Sequence, residues 1–378
     1  MRKTLLMALR FAKSMRTAIK EGNASIEVYT RDKISKDMPV FYNPAMALNR
    51  DLSVLLLRAI GMKKIRVGDV LAGSGVRSIR FLLELPKISV ESISINDGGQ
   101  EANRLIKRNL ALNGLSKDKR ITITKKDANL AILESSGFDY IDIDPFGSPA
   151  PFLDASCKRI SRGGIIAITA TDTAPLCGTY PRTCLRRYWA MPKKCGMMHE
   201  IGLRILIRKA QLIASQYEKA LIPLFSYSHE HYFRVFLRCD RGNTAVDAMM
   251  KQHGMLDGAG PLWLGSLWNI PLVEKMVSIT QKGAGKKKSK TGKNERQRDG
   301  LGLLLDIISK EMLIPSAGFH DTHELAKQEK ILIPSREKLI AAISKEGFAV
   351  SQTHFKGEGL RSTIPRQELI KLMKKIGK

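Results

Sequence analysis

Cysteine is scarce in this chain of 378 residues. Only five occur (Cys157, Cys177, Cys184, Cys195 and Cys239), widely spaced and never as a Cys-x-x-Cys pair. That excludes a zinc ribbon and gives no disulfide framework, so reduced thiols in a cytoplasmic compartment are expected. His229 and His231 would share one face of a strand, but no further ligand stands near them in sequence, and no metal is expected. Long apolar runs are missing as well. Nothing reaches 18 consecutive apolar residues, so no membrane-spanning helix and no membrane partner are expected. Negative charge is in short supply: 36 Asp and Glu stand against 63 Lys and Arg, a net +27. Such an excess points to a polyanionic partner held by a salt-sensitive attraction. The remainder is ordinary for a globular protein, with 43% hydrophobic residues and a length that accommodates two domains.

The chain is organised around residues 69–148. Ile65–Leu71 is apolar and partly β-branched, as a buried strand is, and it stops at the small-residue turn Ala72-Gly73-Ser74-Gly75. Helical spacing follows over Val76–Leu85, with Ile79, Leu82 and Leu83 on one face. A strand, a glycine loop and a helix start let backbone N–H groups approach a ligand. A dinucleotide fingerprint requires a third glycine at position 78, where Ser78 stands. The loop alone therefore indicates a nucleotide-like ligand, with Gly75 among the residues that would let it approach.

Three further strand ends sharpen this. Ser89–Asn96 is a second strand ending at Asp97, whose carboxylate suits the vicinal hydroxyls of a ribose. Helix Gln100–Leu112 leads to a third strand, Ile121–Lys126, which ends at Asp127-Ala128, where a carboxylate can accept from an adenine amine. A fourth, Phe138–Asp144, runs straight into Pro145-Phe146-Gly147-Ser148. An exocyclic amine of a base is a poor nucleophile because its lone pair is delocalised into the ring. A carboxylate at Asp144, helped by the Pro145 carbonyl, would orient such an amine and relieve its developing charge. Phe146 offers a face on which an extruded base can stack. Strand ends carrying Gly-x-Gly, Asp, Asp and Asp-Pro-aromatic in that order resemble the class I S-adenosylmethionine-dependent methyltransferases. The last element resembles the one found in members that methylate exocyclic amines of bases.

The flanking segments fill out the plan. Met1–Lys20 carries six basic residues and no acidic one. It reads as a basic appended helix rather than a signal sequence, since Arg10 interrupts the apolar run; a start at Met15 is the alternative. Asn23–Tyr29 alternates like a strand, and an amphipathic helix runs through Leu57. Arg50 in that helix suits either a cofactor carboxylate or an ion pair with Asp51. A fifth strand, Gly163–Ala170, leads to Thr171–Pro175, where Asp172 and Thr173 are weaker candidates for reading a base. Arg182, Arg186 and Arg187, interleaved with Tyr188 and Trp189, fit phosphate contact and stacking, or a solvated helix face. After helix Glu200–Tyr217, the antiparallel strands Leu221–Ser228 and Tyr232–Arg238 complete a seven-stranded sheet. Gln281–Gly300, with eight basic residues against Glu295 and Asp299, is expected to be a flexible basic loop. Helices Leu301–Leu313, His320–Lys327 and Ser335–Lys345 then precede a hairpin, Phe348–Lys356 with Leu360–Ile364, around Gly357 and Gly359. Helix, turn, helix and wing form a layout that holds nucleic acid.

Four segments are more specific. Phe41–Asp51, Asp142–Pro149, Thr169–Gly178 and Gly260–Trp268 resemble the motifs of the tRNA (guanine, N2) dimethyltransferases acting at position 26, in their archaeal-like form. The resemblance spans roughly residues 21–378. It implies S-adenosylmethionine as donor, tRNA as partner with no obligate protein partner evident, and two methylations of one guanine N2 without a metal. It places Arg50, Arg77, Asp97, Asp127 and Ala128 at the cofactor, and Asp144 as the catalytic carboxylate. The cysteine zinc cluster of some relatives is absent and is not carried over. The expectation is thus an α/β protein: a Rossmann-like class I methyltransferase domain at 21–270 after a basic extension at 1–20. A smaller tRNA-binding α/β domain of winged-helix-like layout would occupy 271–378. An amino-methyltransferase acting on another base of RNA or DNA, and a non-catalytic RNA-binding protein on the same fold, are the alternatives.

Overall fold

The computed structural model describes residues 15–30, 38–284 and 292–376. It opens with an antiparallel hairpin of β1 (Met15–Glu21) and β2 (Ala24–Thr30). The basic helix expected over Met1–Lys20 is therefore corrected from Met15 onward; residues 1–14 lie outside the described residues. The reason is local: Gly22, at φ 56°, and Asn23 form a two-residue turn, and Ala24, Ile26 and Val28 alternate into the core.

Helix α1 (Ala47–Ile60) leads into β3 (Ile65–Asp69), α2 (Val76–Glu84), β4 (Val90–Asn96), α3 (Gln100–Leu112), β5 (Ile121–Thr124), α4 (Ala128–Leu133), β6 (Phe138–Ile143), α5 (Leu153–Arg159) and β7 (Ile160–Ala170). Helices α6 (Thr173–Leu176), α7 (Pro181–Tyr188) and α8 (Met198–Ser215) precede β8 (Lys219–His229) and β9 (Tyr232–Arg241). The seven strands lie in the order β5-β4-β3-β6-β7-β9-β8. β3 to β7 pair in parallel, whereas β8 and β9 are an antiparallel hairpin. The sheet is the mostly parallel, seven-stranded one read from the sequence. Successive crossovers run outward from β3 to β5, and β6 then returns to the other side of β3. The ends of β3 and β6 consequently flank a topological switch point, where open α/β sheets bind ligands.

The chain divides into two compact units, Met1–Ile168 and Thr169–Lys378. That boundary falls inside β7. Beyond β9 the second unit continues with α9 (Asn243–Met250), β10 (His253–Leu256), β11 (Ala259–Trp263), α10 (Ile270–Ala284) and α11 (Gly292–Glu311). Helix thus replaces the flexible loop expected over Gln281–Gly300 at both of its ends, and residues 285–291 lie outside the described residues. β12 (His320–Asp321), α12 (Thr322–Glu329), α13 (Arg336–Lys345), β13 (Val350–Thr353), β14 (Lys356–Ser362) and α14 (Arg366–Ile376) follow. Leu325, Leu339, Ile343, Leu360, Leu369 and Met373 give this last region a core of its own. Its wing is present, but the turn lies at His354-Phe355. Gly357 and Gly359 are inside β14, and a Cβ at Gly359 would stand 2.8 Å from the Phe319 ring. That glycine serves close packing, not chain reversal.

A buried ion network ties α8 to α11 and β14 within the second unit. Arg361 donates to Glu200 at 2.7 Å and to Glu311 at 2.9 Å, and Arg204 donates to Glu200 at 2.8 Å. These side chains are at most 3% exposed. Burial alone would raise the Glu200 carboxyl, but the two guanidiniums hold it at about 2. Removing one partner strands a buried charge. Arg361→Ala is expected to lower the unfolding free energy by about 3–5 kcal/mol in urea denaturation; a loss below about 1 kcal/mol would show that the network contributes little.

Candidate active site

The first unit gathers polar side chains at the ends of β3 and β6. Tyr140, Asp142 and Asp144 are two residues apart, so they line one face of β6 as it runs out. Arg77 sits in the first turn of α2, 6% exposed at its side chain. Its Nη2 donates to Asp144 Oδ2 at 2.5 Å, its Nη1 donates to Asn49 Oδ1 at 3.0 Å and Ser53 Oγ at 2.9 Å, and its Nε lies 3.4 Å from Asp142 Oδ1. The Tyr140 hydroxyl donates to the other Asp142 oxygen at 2.7 Å. One cation therefore holds two carboxylates in place. Asp144 remains 22% exposed, and its Oδ1 takes no hydrogen bond from any described residue. An open acceptor on a fixed carboxylate is what an incoming N–H group requires.

Phe146, two residues on, is 56% exposed, and its ring packs edge-on against Phe41 at 4.1 Å between centroids. An exposed aromatic held by a second aromatic is a fixed stacking face. Pro145 between them is buried.

The glycine loop and the next two strand ends complete a cradle. Gly73 and Gly75 have φ of 54° and 75°, conformations that favour glycine, and a Cβ at Gly75 would press on Ile106 at 3.2 Å. Asp97 binds the loop itself: Oδ2 accepts from Gly73 N at 2.9 Å and Oδ1 from Gly99 N at 2.8 Å. Each oxygen keeps acceptor capacity for a hydroxyl. Asp127 is the N-cap of α4, with Oδ1 accepting from Asn129 N at 2.9 Å and Leu130 N at 3.2 Å. Ala128 follows it, buried at the start of that helix. The donor and acceptor set fits a nucleoside with a vicinal diol and an amine.

Arg50 does not pair with Asp51. It is buried, lies over the Tyr42 ring, and donates through Nε and Nη2 to Glu21, each at 2.6 Å. Burial would raise the Glu21 carboxyl, yet Arg50 and Arg80 bring it down to about 2. Asp51 pairs with Arg80 instead, at 2.6 Å. Asp172 and Thr173 belong to the second unit, where Asp172 accepts from the Tyr188 hydroxyl at 2.6 Å and Arg187 at 3.1 Å. Sequence reasoning missed Phe41, Asn49, Ser53, Asp142 and Glu21. Asn49 and Ser53 carried a signal, being polar, four apart and on the apolar face of a helix. Glu21 carried none, because its partner is set by the fold of the hairpin.

The chain matches the family described as N2,N2-dimethylguanosine tRNA methyltransferase over residues 20–259 and 254–374. A relative from Aquifex aeolicus, named tRNA (guanine(26)-N(2)/guanine(27)-N(2))-dimethyltransferase, is 37% identical over 95% of this chain and 96% of its own. One from Pyrococcus horikoshii, named tRNA (guanine(26)-N(2))-dimethyltransferase, is 35% identical over 95% and 98%. The solved structure of Trm1 from Pyrococcus horikoshii in complex with S-adenosyl-L-methionine is similar at a TM-score of 0.83 and 32% identity, covering 95% of this chain and all of that one.

Behind the clamp, Asp69 at the end of β3 is fully buried and accepts from the Ser78 hydroxyl at 2.6 Å. Burial, with Asp142 and Asp144 nearby, lifts its carboxyl from 3.8 to about 6 against the pull of Arg77. A carboxyl that holds its proton more tightly when folded favours the fold fully below about pH 4, and that contribution is lost as pH rises through 6. Asp69→Asn is expected to remove about 2 kcal/mol of the fall in stability between pH 4 and pH 7. Denaturant midpoints across that range check this, and an unchanged slope would contradict it.

Proposed function

The chain belongs to the N2,N2-dimethylguanosine tRNA methyltransferase family, and from that premise we propose how its first unit carries out the reaction. It transfers methyl groups from S-adenosylmethionine to the exocyclic N2 of guanosine 26 of tRNA, giving N2,N2-dimethylguanosine. The observation that carries the mechanism is the Arg77–Asp144 clamp beside the exposed ring of Phe146.

When bound, S-adenosylmethionine supplies a methyl group already activated on a sulfonium. Asp97 would hold its ribose hydroxyls and the open oxygen of Asp127 its adenine amine, with the Ala128 backbone alongside. The glycine loop, through Gly75, leaves room for the nucleoside to approach. Arg50 would reach its carboxylate through Nη1, since Nε and Nη2 are taken by Glu21.

The target guanine stacks on Phe146 and presents N2 to Asp144. Oδ1 accepts one N–H, and the Pro145 carbonyl is a second acceptor; the lone pair of N2 is thereby turned toward the methyl donor. As nitrogen gains its bond to the methyl carbon, the carbon–sulfur bond would break with its electron pair left on a neutral thioether. The nitrogen becomes cationic, and the fixed carboxylate of Asp144 stabilises it and takes up its proton. Arg77 keeps that carboxylate oriented between turnovers. The second methylation uses the same acceptor, because one N–H remains after the first.

The five cysteines are all free thiols, and no helix among the described residues is long and apolar enough to cross a membrane. The free thiols suit an enzyme that meets tRNA in the cytoplasm.

Asp144→Asn keeps the shape and one acceptor but loses the charge, and Asp144→Ala loses both. Each is expected to lower methyl transfer at least about a hundredfold while S-adenosylmethionine affinity, measured by calorimetry, changes less than about threefold. Parallel loss of binding and transfer would make Asp144 a cofactor residue and overturn its assigned role.

A further inference from the structure

Helix α7 of the second unit has two faces. Cys184 and Tyr188 are fully buried, whereas Arg182, Leu185, Arg186 and the capping Trp189 are all exposed. Those four are spaced i, i+3, i+4 and i+7, so they form a single outward stripe. Tyr180 and Met191 extend it at 58% and 43% exposure.

Trp189 is the unusual member. It occupies the C-cap at φ 58°, a left-handed conformation that glycine adopts freely and a bulky side chain does not. The indole is 47% exposed. Beneath it the Lys209 ammonium lies 2.8 Å from the ring centroid, and Arg208 donates to the Trp189 carbonyl at 3.2 Å. Lys209 is only 5% exposed and has no carboxylate partner among the described residues. A buried ammonium thus fills one face of the indole and leaves the other to solvent. Neither the core nor the helix cap needs a tryptophan here.

We propose that this stripe is an RNA-docking surface: Arg182 and Arg186 bind consecutive phosphates of the tRNA, and an unpaired base stacks on the open face of Trp189. The partner follows from the chemistry. Two exposed guanidiniums one helical turn apart suit a polyanion, and the chain's net charge of +27 has the same sense. A flat aromatic backed by a cation suits the π-face of a base, which only an unstacked nucleotide offers. Arg187 stands apart, because it is committed to Asp172. The proposal rests on tRNA being the substrate and adds the surface that grips it.

The test is a tRNA titration of the full-length protein followed by intrinsic fluorescence. Trp263 and Trp268 are 3% and 6% exposed, so quenching reports Trp189. The wild type is expected to be quenched, and Trp189→Phe to bind somewhat more weakly without that signal. Trp189→Gly should bind roughly tenfold more weakly or worse while melting no lower, since glycine suits the backbone there. Arg182→Ala with Arg186→Ala should lower the slope of log affinity against log salt by about 2, with S-adenosylmethionine binding unchanged. Variants that bind tRNA as the wild type does, or a blunt RNA duplex bound as tightly as tRNA, would overturn the surface. A wild type that neither binds nor methylates tRNA would overturn the underlying function instead, so the two failures are distinct.

Discussion

The Arg77 guanidinium is the one group that the reactive end of the sheet depends on. Three carboxylates, Asp69, Asp142 and Asp144, lie close enough to feel one another, and Arg77 is the cation among them. Burial and the neighbouring carboxylates raise the Asp69 carboxyl, and Arg77 pulls against them. With it, Asp144 stays fixed and keeps an open acceptor atom. Arg77 is in turn fixed by Asn49 and Ser53 on α1, so the helix before the first strand of the sheet sets the aim of a carboxylate 91 residues later.

Everything else at this edge follows from parallel pairing. Because β3, β4, β5 and β6 run the same way, the residues after each strand collect at one end. The glycine loop, Asp97, Asp127 and Asp144 are those residues. Short polar side chains at strand ends act on a ligand with little loss of rotamer freedom, and each is further locked by a backbone N–H or by Arg77. Polar groups that suit a nucleoside are therefore collected at one end of the sheet by its topology.

This logic explains what was legible in the sequence. The strands and helices of the sheet carry strong periodicity, and each strand end is punctuated by glycine, proline or aspartate. Helix Gln100–Leu112 is found where it was read, and the strands differ from their reading by a few residues at the ends. Long-range partners were not legible. Arg50 had Asp51 beside it in sequence, yet the hairpin brings Glu21 to it across 29 residues, and bidentate geometry decides the pairing. From Met15 onward the N-terminal segment was misread because its basic residues suggested a helix, whereas the Gly22-Asn23 turn dictates a strand. The wing turn was misplaced because glycines were assumed to mark reversal, and Gly359 is instead required by the Phe319 ring.

The central claim is that this chain converts one guanosine of tRNA to its N2,N2-dimethyl form at a carboxylate set by Arg77. The most direct measurement is to incubate purified protein with an unmodified tRNA transcript and labelled S-adenosylmethionine, digest the RNA and identify the modified nucleoside by mass and position. Dimethylguanosine mapping to position 26, with monomethylguanosine preceding it in time, is the predicted result. A methyladenosine or methylcytidine product, or label fixed on a ring nitrogen of guanine, would contradict it.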